Sequence, residues 1–213
     1  NGRVAKTRMK NLFFGTNLKV TRGRRCLATD LEFKIESGGM LLLNGENGSG
    51  KSTLLRIMAG LSKPTSGKIY WNNDDVHGNL SEHFERMIYV GHSTAIKSNL
   101  TIKENLKYWQ KMHLGDKDKR GHLEHGLEIF NLTTSSNSPA RFLSSGQCRK
   151  LALSRLMLKP ASLWLLDEPT VGLDTAGLRS LLTLLNNHCE RGGIVVMASH
   201  DAVSYTHLEP TRR

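Results

Sequence analysis

The most constraining feature of this 213-residue chain is a glycine-rich segment, residues 45–54, which fits the phosphate-loop pattern G-x-x-x-x-G-K-[ST]. The apolar run at residues 40–43 predicts a buried strand before it, and residues 52–59 predict a helix after it. A glycine-rich turn between strand and helix lets backbone N–H groups surround an anion, and the helix dipole adds to the attraction. The sequence therefore favours a nucleoside triphosphate site over a Gly/Ser-rich surface turn.

Within this segment, individual residues have predicted roles. Lys51 reaches the outer phosphates as a point charge, and the hydroxyl of Ser52 is placed to ligate Mg²⁺. The remaining predicted nucleotide-binding residues of the segment are Gly45, Asn47, Gly48, Gly50 and Thr53. ATP and Mg²⁺ are the ligands that we expect.

A second apolar run, residues 163–166, ends in the carboxylates Asp167 and Glu168. Mg²⁺ prefers hard anionic ligands, so Asp167 is a predicted metal ligand, and Glu168 is the predicted general base that polarises water. A carboxylate pair after apolar residues also occurs at ordinary helix starts. The phosphate loop earlier in the chain is what makes the pair indicate nucleotide hydrolysis.

Alternating strands and helices predict an α/β fold with a mainly parallel sheet and ligands at the C-terminal ends of its strands. The predicted strands are residues 18–20, 31–35, 40–43, 68–71, 87–90, 163–166 and 194–198, with a loop at 72–82. A capping box at residues 101–104 opens one predicted helix. Two more helices follow from the apolar spacing of Leu123, Leu127 and Phe130 and of Leu178, Leu181, Leu182 and Leu185.

We expect one domain over residues 1–213. Its α/β core takes about residues 11–92 and 159–213 and includes a short antiparallel β part. A helical lobe at residues 93–158 is inserted into this core, and residues 1–10 are a candidate basic tail.

Composition and charge limit the disulfide content, the membrane contacts and the partners that fit this chain. Three cysteines, Cys26, Cys148 and Cys189, are odd in number and far apart, which argues against a disulfide framework. No apolar run reaches the roughly 18 residues needed to cross a bilayer, so membrane contact would go through a partner or a surface. The net charge is +11, and residues 1–25 carry many basic side chains and no acidic one. That stretch fits anionic lipid, nucleic acid, the remainder of a targeting segment or a solvated end.

Residues 143–147, Leu-Ser-Ser-Gly-Gln, precede the carboxylate strand and open a further predicted helix. With this stretch the chain resembles the ABC-transporter ATPase family, whose signature is Leu-Ser-Gly-Gly-Gln. Other marks of the family follow in order, namely Asp-Glu-Pro-Thr at residues 167–170, the loop 171–174 and His200 after a strand. The resemblance covers about residues 18–201 and implies the P-loop NTPase core of an ABC ATPase.

The resemblance also implies that ATP is held between two copies of the chain. Ser144, Gly146 and Gln147, with Asp174, would complete the nucleotide pocket of the other subunit in an ATP-state homodimer. His200 would be a switch histidine at the catalytic centre. A helix N-cap accounts for Ser144, but it leaves the other signature residues unexplained.

Three positions depart from the family pattern. Ser145 replaces a glycine of the signature. His92 stands where the family has a glutamine near the metal, so we expect it to contact the metal's water shell or a partner. The aromatic residue that stacks on adenine in most relatives should fall near Arg22, so either a guanidinium plane supplies this stacking or the stacking is missing.

The chain resembles the ATP-binding subunit of the haem-exporter-type ABC complex of cytochrome c maturation. The residues that carry this resemblance are 89–92, 96–97, 100–101, 104–106, 163–169 and 192–196. This implies a peripheral ATPase on integral-membrane partners that couples Mg-ATP hydrolysis to haem export or to release of a haem-loaded chaperone. The chain itself is not expected to bind haem or nucleic acid. The expected location is the bacterial inner membrane on its cytoplasmic side or the mitochondrial inner membrane on its matrix side.

Three alternative functions stay open on the sequence alone. The first is an ABC subunit for another substrate, such as a lipid, a metal or a drug. The second is an ATPase associated with nucleic acid. The third is an ATP-dependent clamp that does not hydrolyse ATP.

Overall fold

The computed structural model describes residues 10–114 and 121–199, with the backbone alone at residues 113 and 114. A parallel sheet forms the centre of this part of the chain. Its strands are β3 (Met40–Asn44), β6 (Met87–Val90), β7 (Leu163–Asp167) and β8 (Ile194–Ser199). They lie in the order β3-β8-β7-β6. Every residue of β7 and β8 is buried, as expected for a parallel sheet covered on both faces, and the predicted parallel sheet is confirmed.

Alternate residues of the central strands belong to two apolar clusters on opposite faces of the parallel sheet. Trp164 and Leu166 contribute to one cluster, and Leu163 and Leu165 contribute to the other. A shift of the pairing by one residue would move each side chain to the wrong face, so the register is fixed. The fixed register places Asp167 at the C-terminal edge of the sheet, opposite Ala198.

An antiparallel sheet packs over the second cluster, together with helix α1 (Lys51–Met58). Its strands are β1 (Leu12–Arg22), β2 (Arg25–Glu36), β4 (Ser66–Trp71) and β5 (Asp74–Asp75), in the order β2-β1-β4-β5. The hairpin of β1 and β2 is longer than the sequence predicts. Asn17 has a φ of 50°, and the pairing shifts between Gly15 and Leu18, so the alternation of buried residues changes phase along β1.

The prediction of a loop over residues 72–82 is wrong at β5 (Asp74–Asp75) and at the last three residues, where helix α2 (Leu80–Arg86) begins. Asn79 is the N-cap of α2, since its side-chain oxygen accepts from the N–H of Glu82 at 3.3 Å. The one buried residue of α2 is His83 rather than an aliphatic side chain. The two large apolar residues of α2, Leu80 and Phe84, are half-buried and exposed respectively, so they do not mark its buried face.

The remaining helices are α3 (Ile102–Leu114), α4 (His122–Ile129), α5 (Ser145–Ser154) and α6 (Thr175–Glu190). Thr101 and Glu104 form the predicted capping box of α3, and the predicted apolar face of α4 is buried. Apolar side chains of α3, α4 and α5 share one cluster with β6, β7 and α6. The α/β fold class with an additional helical part is confirmed, whereas the boundaries 93 and 158 of a separate lobe stay a prediction.

Candidate functional site

The phosphate loop between β3 and α1 is closed around the amine of its own lysine. The Nζ of Lys51 donates to the carbonyl oxygens of Gly45 at 2.6 Å and Glu46 at 3.0 Å. Gly48 and Gly50 have φ values of 82° and 105°, in the left-handed region that glycine adopts without strain. The loop therefore curls over the start of α1, as the phosphate-loop pattern predicts.

Ser52 and Asp167 lie side by side, although 115 residues separate them in the sequence. The Oγ of Ser52 donates to Oδ1 of Asp167 at 3.0 Å. Asp167 is 2% exposed. A hydroxyl and a carboxylate in contact are hard oxygen donors of the kind that Mg²⁺ binds, so this pair fits the predicted metal.

Glu168 follows directly and adopts an unusual backbone conformation. Its φ is 50°, which is rare for a residue with a side chain, and its N–H donates to the carbonyl oxygen of Ala198 at 3.0 Å. Backbone strain of this kind is held only where surrounding contacts over-determine it, and it concentrates at functional sites. The hydrogen bond to β8 holds the backbone of Glu168, which lines the same cavity as Ser52.

A cavity of about 290 Å³ joins these elements. Its lining consists of Arg22, Leu27, Asn47, Gly48, Gly50, Lys51, Ser52, Thr53, His92, Glu168 and Val171. Most of the predicted nucleotide-binding residues, together with His92 and Glu168, thus meet in one place. Lys51 and Arg22 exceed the single carboxylate of Glu168 in charge, which suits a polyphosphate anion.

The structure adds Leu27 to the residues that sequence reasoning singled out. Leu27 lines the cavity, and a Cβ added to Gly50 would lie 3.0 Å from its Cδ1. Arg22, the predicted substitute for an adenine-stacking aromatic, lines the same cavity at the end of β1. No sequence pattern marked Leu27, because it lies on a hairpin strand whose exposure varies from residue to residue.

The signature residues lie outside this cavity, at the start of α5. The Oγ of Ser144 accepts from the N–H of Gln147 at 3.2 Å, and Oε1 of Gln147 accepts from the N–H of Ser144 at 2.9 Å, which completes a capping box. A Cβ on Gly146 would collide with the carbonyl oxygen of Gly172. Gly146 and Gln147, which a simple N-cap left unexplained, thus have structural reasons within one subunit.

Asp174 also lies outside the cavity and is engaged within its own subunit. It caps α6 by accepting from the N–H of Gly177 at 2.7 Å, and it pairs with Nζ of Lys150 at 2.9 Å. The hydrogen bond from Lys150, followed by that from Gly177, lowers the pKa of Asp174. This contact connects the loop before α6 to helix α5.

Sequence reasoning missed a buried cation, Arg149, in the middle of α5. Its two terminal nitrogens donate to the carbonyl oxygens of Gly91 at 3.2 Å and His92 at 3.0 Å. Burial lowers the pKa of Arg149, and the charges of Asp167 and Glu168 partly offset this. A signal existed, because Arg149 stands at the first position of an apolar stripe with Ala152, Leu153 and Leu156.

One predicted catalytic residue, His200, lies outside the described residues. Within residues 10–114 and 121–199, no group of three or more His, Cys, Asp or Glu side chains is arranged to hold a metal ion. The same residues contain no helix that is both long and apolar enough to span a bilayer.

The fold and the cavity together define a P-loop ATPase, and comparison with known proteins identifies its class. The family model described as ABC transporter matches residues 28–171. The chain therefore belongs to the ABC transporter family and is an ABC-type ATPase. The predicted resemblance to that family is confirmed.

Curated relatives narrow the comparison to one kind of ABC ATPase. The cytochrome c biogenesis ATP-binding export protein CcmA of Paramagnetospirillum magneticum is 40% identical over 189 residues, which cover 88% of this chain and 87% of the relative. CcmA of Rhodospirillum rubrum is also 40% identical, over 193 residues that cover 91% of this chain and 82% of the relative. The narrower resemblance, to the ATP-binding subunit of the cytochrome c maturation complex, is confirmed as well.

A solved structure described as the ATP-binding subunit of an ABC transporter superimposes with a TM-score of 0.79. It is 23% identical, and the match covers 91% of this chain and 81% of the other. At this identity the match supports the fold alone, which agrees with the α/β architecture above.

Proposed function

We propose that the chain is the ATP-hydrolysing subunit of a membrane export complex for cytochrome c biogenesis. The observation that carries the hydrolytic part is that Lys51, Ser52 and Glu168 line one cavity. Asp167 adjoins them through its hydrogen bond with Ser52. The similarity to relatives named CcmA carries the biological part.

The proposed chemistry assigns a task to each of these residues. Lys51 and the N–H groups at the start of α1 bind the phosphates, and Ser52 and Asp167 hold Mg²⁺. When bound, Mg²⁺ neutralises charge on the phosphate oxygens. Glu168 accepts a proton from the attacking water, and His92, which lines the same cavity, contacts the water shell of the metal.

We also propose that two copies of the chain enclose ATP. The signature residues Ser144, Gly146 and Gln147 do not line the cavity, and neither does Asp174. The start of α5 is largely exposed. A second subunit would present these residues to the nucleotide held by the first. His200 belongs to the same proposal as the switch histidine.

The proposed partners are integral-membrane subunits, and the proposed location is peripheral, at the bacterial inner membrane on its cytoplasmic side. The relatives named CcmA are bacterial, and nothing in the comparison supports a mitochondrial location. Hydrolysis would drive haem export or release of a haem-loaded chaperone, with haem held by the partners rather than by this chain.

The substitution Glu168→Gln tests the hydrolytic role. It keeps the size of the side chain but removes the base, so we expect phosphate release to fall by roughly 10²- to 10⁴-fold. The affinity for ATP, measured by calorimetry, should stay within about twofold, because phosphate binding rests on other groups. Glu190→Gln, at the exposed end of α6, is the matched control. Parental hydrolysis by Glu168→Gln would overturn the base assignment.

Isolation of the tagged chain from solubilised bacterial membranes tests the transport role. We expect integral proteins to accompany the chain and haem absorbance to follow these proteins when the ATPase is washed off. Recovery with nucleic acid and without membrane proteins, or with a membrane complex free of haem, would contradict the proposal.

A further inference from the structure

We propose that Arg149 is a positioning residue that ties the loop carrying His92 to the signature helix α5. The proposal rests on the function proposed above, in which His92 and the start of α5 contribute to the same reaction. Arg149 itself does not line the nucleotide cavity. It would act through the backbone of the loop that it holds.

Arg149 makes two hydrogen bonds to a segment that is distant in the sequence, and we call this pair of bonds the clamp. Arg149 lies 58 residues from Gly91 and 57 from His92, and it donates one hydrogen bond to each carbonyl oxygen. The side chain is 5% exposed. Two donors on a planar guanidinium define an orientation as well as a position, which a single donor cannot do. Since β6 ends at Val90, the clamp acts where the chain leaves the sheet.

Helix α5 also contacts a second segment that borders the same cavity. Lys150 pairs with Asp174 at 2.9 Å, and Gly146 is in close approach to Gly172. Gly172 and Asp174 belong to the loop that contains Val171, a residue of the cavity lining. The first turns of α5 therefore contact both the His92 loop and the Val171 loop. A displacement of α5 at its exposed signature end would move both cavity walls together.

Charge and hydrogen-bond geometry determine which side chain can occupy position 149. The negative charges of Asp167 and Glu168 partly offset the cost of burying the guanidinium of Arg149. A lysine would keep the charge but donate to the two carbonyls with poorer geometry. A methionine would fill the space and leave both carbonyl oxygens without this donor.

A purely structural role is the competing explanation, and the chain contains a matched control for it. Lys159 is also a buried cation, 8% exposed, and its Nζ donates to two consecutive carbonyl oxygens, Phe84 at 2.6 Å and Glu85 at 3.1 Å. These carbonyls lie at the end of α2, and Lys159 does not line the nucleotide cavity. Loss of either cation should destabilise the fold, but only loss of Arg149 should change the contribution of His92.

The test is a double-mutant cycle with Arg149→Met, Arg149→Lys and Lys159→Met, each made alone and combined with His92→Ala. Three quantities are measured for each variant of the full chain: kcat and KM for ATP, the midpoint of thermal unfolding, and the factor by which Mg²⁺ raises the affinity for a non-hydrolysable ATP analogue. The analogue measurement does not depend on turnover.

We expect Arg149→Met to lower kcat by roughly ten- to a hundredfold, with KM within about threefold, because misplacement of a positioned group reduces the rate more than binding. The Mg²⁺-dependent gain in analogue affinity should fall in parallel. In the His92→Ala background both effects should largely vanish, and Arg149→Lys should retain part of the activity. Lys159→Met should lower the unfolding midpoint with the same kcat per folded molecule in both backgrounds.

Equal losses from Arg149→Met with and without His92, or no loss in either background, would overturn the proposal. If Arg149→Met does not fold, Arg149→Lys decides by the same comparison. This outcome is distinguishable from failure of the proposed function, because parental hydrolysis by Glu168→Gln would refute the base assignment whatever the cycle shows.

Discussion

The two helix N-termini of the proposed ATP site differ in how far the chain satisfies them itself. Helix α1 starts after Gly50, which has no side chain to accept from the first turn, and Lys51, Ser52 and Thr53 line the cavity. Helix α5 starts after Ser144, whose side chain forms a closed capping box with Gln147. Neither first turn contains an acidic residue, so both ends keep the positive end of the helix dipole.

The start of α1 is thus a preformed binding site, whereas the start of α5 is a folded element that can be used for binding. The start of α1 requires glycines at positive φ, and it leaves its backbone N–H donors for a ligand. The α5 end uses its side chains to stabilise its own start. One subunit alone should therefore bind ATP through α1, and α5 should contribute only when a second subunit is present.

The largest expected effect comes from Lys51→Ala, which tests the α1 half. The substitution removes the cation for the outer phosphates and also the donor that holds the carbonyls of Gly45 and Glu46. We expect ATP affinity to fall by more than about a hundredfold, or about 3 kcal/mol, in calorimetry on the isolated chain.

Lys34→Ala is the control for Lys51→Ala, because Lys34 is an exposed cation whose only described ion pair, with Glu36, is 4.0 Å long. Its affinity for ATP should equal that of the parent chain. If Lys51→Ala retains parental affinity, α1 is not the half that binds first and the comparison is reversed.

A smaller effect, on stability, is expected from Gly146→Ala at the α5 end. Alanine favours helix over glycine by up to about 1 kcal/mol, but the added Cβ would meet the Gly172 carbonyl and require a backbone shift that costs about 1–3 kcal/mol. The second effect is larger over most of this range, so we expect a net loss of up to about 2 kcal/mol in denaturant unfolding.

Ser145→Ala is the neighbouring control for Gly146→Ala, because Ser145 is exposed and its side chain should tolerate removal. A gain in stability from Gly146→Ala would mean that the loop at Gly172 yields easily. In that case α5 and this loop would not move as one unit.

Local patterns predicted the elements whose determinants are close together in sequence. The phosphate loop, the buried strands β7 and β8 and the capping box at Thr101 were all recognisable, because spacing and periodicity encode them. Helix α2 was missed because its buried residue is His83. Leu27 was missed as a cavity residue because its role depends on contact with a distant segment, which no local pattern encodes. The apolar stripe of α5 marked the position of Arg149 as buried, but not the distant carbonyl groups that it binds.

The smallest expected change in stability comes from Ser144, and it distinguishes the two uses of the α5 end. Ser144→Ala removes the N-cap and should cost about 1 kcal/mol. Ser144→Asp should keep the cap, because aspartate is an equally good N-cap, while its charge would repel a phosphate presented by another subunit. In a Glu168→Gln background with ATP, sedimentation should show dimers for the parent and monomers for Ser144→Asp. Dimers formed equally well by Ser144→Asp would show that α5 only caps itself and does not touch the nucleotide.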